Sequence, residues 1–284
     1  MSEALLYIVA TPIGNLEDLS PRAAAVLASV DFIAAEDTRV TLKLLNHLGI
    51  KKPLVSCYRH NEEGRSEGIV ARILAGESCA LCCDAGTPAL SDPGEKLVRL
   101  AAQSGVRVIP IPGCCAAAAA LSASGLPSGR FCFEGFLPMA KRNRAARLEE
   151  LATERRTLVF YEAPHKLKNT LKDLYKHLGE REIVLARELT KLHEEIERSS
   201  LSTALAEYET REPRGEYVLI VAGREDEAPK QAPQGDPLKR VSELKAAGLS
   251  LSEACRRAAA EFGLKKSELY REAARKAPEQ PEEG

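Results

Sequence analysis

The sequence predicts an α/β protein built from two sheet-containing domains, with a small helical appendage at the C-terminus. Three observations lead there. Short continuous apolar runs alternate with helical patterns as far as about residue 223, as in sheets covered by helices on both faces. The core is aliphatic: 44% of the 284 residues are hydrophobic, but aromatics make up only 5% and Trp is absent. Residues 224–235 then break the pattern with Pro, Gln and charge and no apolar periodicity, as a linker does. The expected organisation is an N-terminal parallel-sheet domain over 1–116, a second α/β domain over 117–223, a linker over 224–235 and a basic appendage over 236–277.

Leu5 to Ala10 reads as the first strand, followed by the turn Thr11-Pro12-Ile13-Gly14-Asn15. Ser20-Pro21 opens a helix, because Ser caps free N–H groups and Pro fits the first helical position. "DFIAAEDTR" is a second strand, and "TLKLLNHLG" a helix closed by Gly49. "PLVSCYRHNEE" supplies a third strand and its loop, and "GIVARILAGE" a helix. The Cys-rich strand, the loop "DAGTPALSDPG", the helix "EKLVRLAAQSG" and the strand "VRVIPIPG" follow. In the second half, "RFCFEGFLP", "TLVFYEAP", "REIVLARELT" and "GEYVLIVAG" are strands of a separate sheet. Helices "KRNRAARLEELATERR" and "PHKLKNTLKDLYKHLG" and a strand–helix pair in "EEIERSSLSTALAEYETREP" lie between them. Residues 236–276 form three short helices with ten Lys/Arg against six Asp/Glu, a basic unit of helix-turn-helix kind.

A formal net charge of -1 argues against a uniformly basic nucleic-acid coat and leaves local patches open. Eight Cys occur, with no CxxC joined to a second one, so no zinc site is expected and no metal at all. The adjacent pairs 82–83 and 114–115 are poor disulfide partners, which implies a reducing cytoplasm. The N-terminus lacks a basic n-region and reads as a strand rather than a signal peptide. No stretch reaches the ~18 apolar residues of a membrane span.

In an open parallel sheet, ligands bind beyond the carboxyl ends of the strands, and the unusual clusters fall there. They are Pro12 to Asn15, Glu36 to Arg39, Arg59 to Asn61, Asp84 to Gly94, and Pro112-Gly113. The first turn has one Gly and a Pro, so it is no GxGxxG cradle, and GxxxxGK[ST] is absent. A ligand without a phosphate chain fits better, such as the nucleoside with an amino-acid tail of S-adenosylmethionine. Asp84 would bond a hydroxyl or ammonium, Gly86 would let the ligand approach the backbone, and Pro88 and Pro93 would stiffen the loop. Ser91 and Asp92 either add polar contacts or cap the helix that starts near Gly94.

The stretches "YIVATPIGNLEDLSPRA", "AAEDTR", "DAGTPALSDPG", "PIPGCCAAAAALSASGL", "FEGFLP", "FYEAPHKL", "RELTKLHEE" and "GEYVLIV" occur together in this order. In them the chain resembles the tetrapyrrole methylase superfamily, and within it the ribosomal RNA small subunit methyltransferase I branch. The resemblance spans roughly residues 5–223. It implies two α/β domains with S-adenosylmethionine in the cleft between them, a homodimer, and 2′-O-methylation of a cytidine ribose in small-subunit ribosomal RNA, naked or in the assembled 30S subunit. Carried over, it assigns cofactor contacts to Pro12, Gly14, Asp84, Gly86, Thr87, Pro88, Ser91, Asp92, Gly113, Cys115, Leu137, Tyr161, Glu162 and Ala163. The chain departs from the family at Cys114-Cys115, where Pro-Ser commonly follows Pro-Gly; a thiol is a weaker donor than a hydroxyl.

"RELTKLHEE" packs charge densely after a strand. Lys191 or Glu188 is the candidate group acting on the ribose hydroxyl, with Arg187 holding a phosphate; a salt-bridged turn is the plainer reading. Asp37, Arg39 and His60 are candidate substrate contacts at the cleft mouth. Lys141, Arg142, Arg144 and Arg147 open a helix beside it, where they would grip phosphates or form a solvated face. Two other functions stay open: a small-molecule methyltransferase, and a ligand-sensing DNA-binding regulator.

Overall fold

The computed structural model describes residues 5–59, 61–225 and 235–275. Most of the expected linker lies outside these residues, as do His60 and Lys276. The chain forms two compact units, Met1–Arg224 and Glu225–Gly284.

The larger unit holds two five-stranded sheets. The first contains β1 (Leu5–Val9), β2 (Phe32–Ala35), β3 (Leu54–Ser56), β4 (Cys79–Cys82) and β5 (Arg107–Ile111), in the order β3-β2-β4-β1-β5. All its pairings are parallel. Every residue of β2 and β4 is buried, which explains their continuous apolar sequence. Helices α1 (Pro21–Ser29), α2 (Thr38–His47), α3 (Glu62–Leu74) and α4 (Glu95–Gln103) connect the strands. Their apolar faces form two clusters, one around Phe32, Ile69 and Leu97 and one around Leu27, Leu45 and Ile111. Ser20 Oγ accepts from Ala23 N at 3.1 Å, capping α1, and Gly49 closes α2 at φ +67°.

The second sheet is mixed. It contains β6 (Phe131–Phe136), β7 (Thr157–Glu162), β8 (Glu182–Arg187), β9 (Glu195–Ser200) and β10 (Tyr217–Val221), in the order β6-β7-β10-β8-β9. β6 runs parallel to β7; β10 is antiparallel to both β7 and β8, and β9 to β8. Helices α5 (Ala116–Ser124), α6 (Lys141–Leu151), α7 (Pro164–Leu178) and α8 (Leu201–Thr210) complete the unit. The Ala-rich α5 packs Ala117, Ala120 and Leu121 on Val159, Val184 and Ile220 of this sheet. Small side chains there bring helix and strands close. No described helix is long and apolar enough to cross a membrane.

Helix α4 is capped in an unexpected way. Ser91 and Asp92 do not cap it; its N-cap is Gly94, which has no side chain to offer. Instead the buried Glu62, at the start of α3, accepts from the N–H groups of Gly94 (3.0 Å), Lys96 (2.7 Å) and Leu97 (3.2 Å). A carboxylate among free helix N–H groups also suits the helix dipole. Glu62→Ala would strip two buried donors and one part-buried donor of their acceptor, and we expect a loss of about 2–3 kcal/mol in urea unfolding. A change below about 0.5 kcal/mol would show that water replaces the carboxylate.

The smaller unit contains α9 (Pro237–Ala246), α10 (Leu251–Phe262) and α11 (Lys266–Arg275). They share a core of Val241, Leu244, Ala254, Cys255, Ala258 and Leu269. Asp236 caps α9 with Pro237 in its first turn, and Ser250 caps α10.

Candidate active site

A cavity of about 300 Å³ lies where the carboxyl ends of the first sheet meet the second sheet, within the ~300–1,000 Å³ of small-molecule sites. Its first wall is the loop after β4. Thr11 and Gly86 exchange two backbone hydrogen bonds (2.8 and 3.0 Å), and Thr11 Oγ1 donates to Cys83 O at 3.1 Å. Thr87 Oγ1 donates to Cys114 O at 2.9 Å. The loop is thereby tied to the ends of β1 and β5. Gly86 has φ +87°, and a Cβ there would meet Ile13 at 3.4 Å, so glycine is needed for its conformation. Ala89 and Ser91 adopt positive φ as well.

Glu36, Asp84 and Asp92 all line this wall. Asp84 Oδ1 accepts from Asp37 N at 3.0 Å. Burial raises the pKa of all three, and the neighbouring carboxylates reinforce it: Asp84 and Asp92 act on Glu36, Asp37 on Asp84, and Asp84 on Asp92. A cation beside them would relieve that repulsion.

The second wall is drawn from four strands, β6, β7, β8 and β10. Tyr161, at the end of β7, accepts from Ala117 N through its hydroxyl at 3.2 Å. Phe133 and Phe136 meet its ring edge-on, with centroids 5.2 and 5.6 Å away. Burial raises the Tyr161 hydroxyl far above its ordinary value. Glu162 faces back into the fold, accepting from Ala163 N at 2.9 Å and from Thr170 Oγ1.

The loop after β8 supplies the one ammonium of the lining. Lys191 Nζ lies 2.9 Å from Glu188 Oε1 and 2.9 Å from Glu216 Oε2. Glu188 Oε1 also accepts from Glu216 N at 2.9 Å. Burial would lower the Lys191 pKa, but the two carboxylates outweigh it and hold the pKa above the ordinary value. Burial likewise opposes ionisation of Glu188, and Lys191 and the Glu216 N–H outweigh it, so its pKa falls. Both groups are ionised. Glu188 and Thr190 sit at φ +50° and +66°, a conformation costly to non-glycine residues and concentrated at functional sites.

Two glycines make room for this ion pair. A Cβ on Gly14 would lie 2.5 Å from Lys191 Cγ and 2.8 Å from Thr190 Oγ1, and one on Gly215 would run into the Glu188 side chain. Asn15 N donates to Thr190 Oγ1 at 3.1 Å, fastening the first sheet's turn to the loop after β8.

Of the residues singled out from sequence, the cavity gathers Asp84, Gly86, Thr87, Asp92, Cys115, Tyr161, Glu162, Ala163, Glu188 and Lys191. The others lie outside its lining. Gly113 presses on Ala10, where a Cβ would come within 2.9 Å of Ala10 Cβ, and Ser91 fits under Gly135. Leu137 is in the core of the second sheet, and Pro88 is buried in its loop. Pro12 is half-buried beside the Thr11–Gly86 bridge. Arg187 pairs with Glu195 at 2.9 Å, and its buried Nε has no hydrogen-bond partner among the described residues. Arg39 forms a fork with Asp37, whose pKa falls to about 2 chiefly through that side-chain hydrogen bond. Arg144 is bound to Asp173 and Thr170 (2.7 Å each), and Arg147 to Glu134 and Glu150. Lys141 and Arg142 remain exposed.

Sequence reasoning missed Glu216, Tyr217 and Val218, which line the cavity. Tyr217 and Val218 start β10 and Glu216 immediately precedes it, and an antiparallel strand turns its beginning toward the edge where parallel strands end. It also passed over Phe136 as an ordinary strand residue.

The family model for Tetrapyrrole (Corrin/Porphyrin) Methylases matches residues 5–205. A Synechocystis protein called ribosomal RNA small subunit methyltransferase I is 47% identical over 267 residues, covering 94% of this chain and 96% of that protein. The chain belongs to the tetrapyrrole methylases, in the ribosomal RNA small subunit methyltransferase I family. A Pseudomonas aeruginosa protein of the same name is also 47% identical, over 96% of this chain and 98% of its own length. Solved tetrapyrrole methylase-like structures share the fold at lower identity. Diphthine synthase superposes with a TM-score of 0.59 at 15% identity, over 77% of this chain and 90% of that one. Uroporphyrin-III-C-methyltransferase from Thermus thermophilus gives 0.55 at 20%, over 78% and 94%.

Proposed function

We propose that the chain transfers a methyl group from S-adenosylmethionine to the 2′-hydroxyl of a cytidine in small-subunit ribosomal RNA. It acts in the cytoplasm as a homodimer, on naked RNA or on the assembled 30S subunit. One observation carries the substrate: the likeness to relatives named for small-subunit RNA methyl transfer runs over more than nine-tenths of both chains. The expected division near residue 116 would then separate two domains that share one site.

The donor set of the cavity supports the cofactor. Five carboxylates (Glu36, Asp84, Asp92, Glu188, Glu216) share the lining with one ammonium, that of Lys191, while Glu162 is turned back into the fold. Such a lining disfavours a phosphate chain and suits a sulfonium with an ammonium tail. Asp84, Gly86, Thr87, Asp92, Cys115, Tyr161 and Ala163 are the residues that would hold it. When bound, S-adenosylmethionine supplies a methyl group already activated on sulfur.

The chain's own contribution is positioning and charge. Lys191, kept protonated by its two carboxylates, would stand beside the target hydroxyl and stabilise the oxyanion that develops there. A protonated ammonium accepts no proton, so Lys191 is the polarising cation and not the base. Glu188 fixes its position. The released proton would leave through Glu216, whose side chain is 79% exposed.

The test is transfer of radiolabel from S-adenosylmethionine to undermethylated 30S subunits and to naked small-subunit RNA, with the label mapped to a ribose. Labelling of neither, by a protein that binds the cofactor, would sink the RNA assignment.

Two further results are expected. The raised carboxyls of Glu36, Asp84 and Asp92 favour the folded protein when protonated. That contribution is complete below the ordinary values, 4.5 and 3.8, and is lost as pH rises through the raised ones. A cationic ligand needs them ionised. Calorimetric affinity for S-adenosylmethionine should therefore fall on acidification, beginning above pH 4.5; a flat profile would remove these carboxyls from binding. Gly14→Ala should displace Lys191, lowering methyl transfer by on the order of 10- to 100-fold while leaving cofactor affinity unchanged. Equal losses in both would return Gly14 to the cofactor contacts.

A further inference from the structure

The second sheet carries another concave feature, at the end away from the cavity. β6, β7 and β8 begin there and β10 finishes there. The groove is about 740 Å³, and Arg130, Arg155 and Arg156 line it together with Glu150 and Glu154. All three arginines are exposed. Its acids are already engaged: Glu150 pairs with Arg147 at 2.6 Å and Glu154 with Arg156 at 2.7 Å.

The turn that presents Arg155 and Arg156, between α6 and β7, is firmly built. Beneath it lies Arg181, only 7% exposed. Its guanidinium donates to the carbonyls of Ala152 (2.7 Å), Ala222 (3.2 Å), Leu178 (3.3 Å) and Glu154 (3.4 Å). Gly223 lies so close to the Arg155 carbonyl that any Cβ would collide with it. Arg224 N donates to Glu154 O at 2.6 Å, which sets a fourth arginine at the groove's edge. The side chains of Arg130 and Arg224 make no hydrogen bond or ion pair among the described residues.

The charge of the cavity makes such a surface necessary. Its acidic lining repels a polyanion, so an RNA that offers a ribose there must be held by cations elsewhere. The start of α6 does this poorly, because Arg144 and Arg147 are spent on internal acids. Arginine has the fork that matches phosphate oxygens. β7 has six residues, so at ~3.3 Å per residue the two ends of the sheet lie roughly 20 Å apart. That is about six steps of a helical strand at ~3.4 Å each.

We propose that this groove binds the phosphate backbone of the RNA substrate, with Arg130 and Arg224 as phosphate ligands. The proposal rests on the RNA methyltransferase reading above. Its test is the Arg130→Ala, Arg224→Ala double variant of the full chain, titrated with naked small-subunit RNA and with 30S subunits at several salt concentrations. Loss of two phosphate contacts should reduce the slope of log affinity against log salt by about 1.4–1.8 and raise the KM for RNA about tenfold or more. Affinity for S-adenosylmethionine and the melting temperature should stay at wild-type values. A variant with the wild-type slope and KM would overturn the groove while leaving the RNA reading intact. Loss confined to 30S subunits, with naked RNA unaffected, would assign the groove to a protein of the subunit and overturn it too. Wild-type protein that neither binds nor methylates RNA would instead sink the reading on which the proposal rests.

Discussion

Lys191→Ala should lower methyl transfer to ribosomal RNA by about 10²–10³-fold, the usual loss when one fixed group is removed from a developing oxyanion. Affinity for S-adenosylmethionine should change little, because the carboxylates of the first wall remain. Glu188→Gln should cost less, about tenfold, since Glu216 still holds the ammonium and only its placement loosens. The pH profile gives a second check. With its pKa raised above the ordinary 10.5, Lys191 stays charged through neutral and mildly alkaline pH. Activity should therefore show no alkaline fall from this residue below pH 10.5. Single-turnover transfer at saturating RNA is the measurement, and wild-type turnover by Lys191→Ala would remove this residue from the reaction.

Gly86→Val is expected to weaken S-adenosylmethionine binding by at least ~100-fold. Gly86 holds φ +87°, where a β-branched residue bears a strain of about 1–3 kcal/mol. The backbone would relax toward negative φ and break the paired bonds with Thr11 that seat the loop. The same change moves Asp84 and Thr87, its near neighbours in the cavity wall. Gly86→Ala should show the same direction at smaller size. Calorimetry would report it, with far-ultraviolet circular dichroism checking that both sheets persist. Undiminished binding would mean that the ligand lies against other parts of the wall.

The first sheet was legible because its inner strands β2 and β4 are buried on both faces and announce themselves as apolar runs. The strand-end rule then led from β4 to Asp84, Gly86, Thr87 and Asp92, all of which reach the cavity. The rule has a direction, and β10 runs against it; Glu216 was hidden for that reason. Charges were read less well than backbone. Arg144 looks like a free cation on one helix, but its partner Asp173 lies on the next. Glu62 caps a helix that starts more than thirty residues further along, and nothing local marks so distant a contact. Gly14 belongs to a shared motif, yet the space it leaves is taken up by Lys191, a relation visible only once both sheets are in place.

The cavity draws its walls from Ile13 through to Val218, and this has a consequence for the chain as it is made. The first sheet is complete once Ile111 has emerged, and β10 follows roughly a hundred residues later, on the order of ten seconds at ~5–20 residues per second. During that interval the nascent protein exposes Glu36, Asp84 and Asp92 along one edge with the opposing wall still incomplete. No cofactor can assist the first sheet to fold, so that sheet must stand on its own apolar core. S-adenosylmethionine would act only afterwards, as a ligand that holds the finished unit closed by mass action.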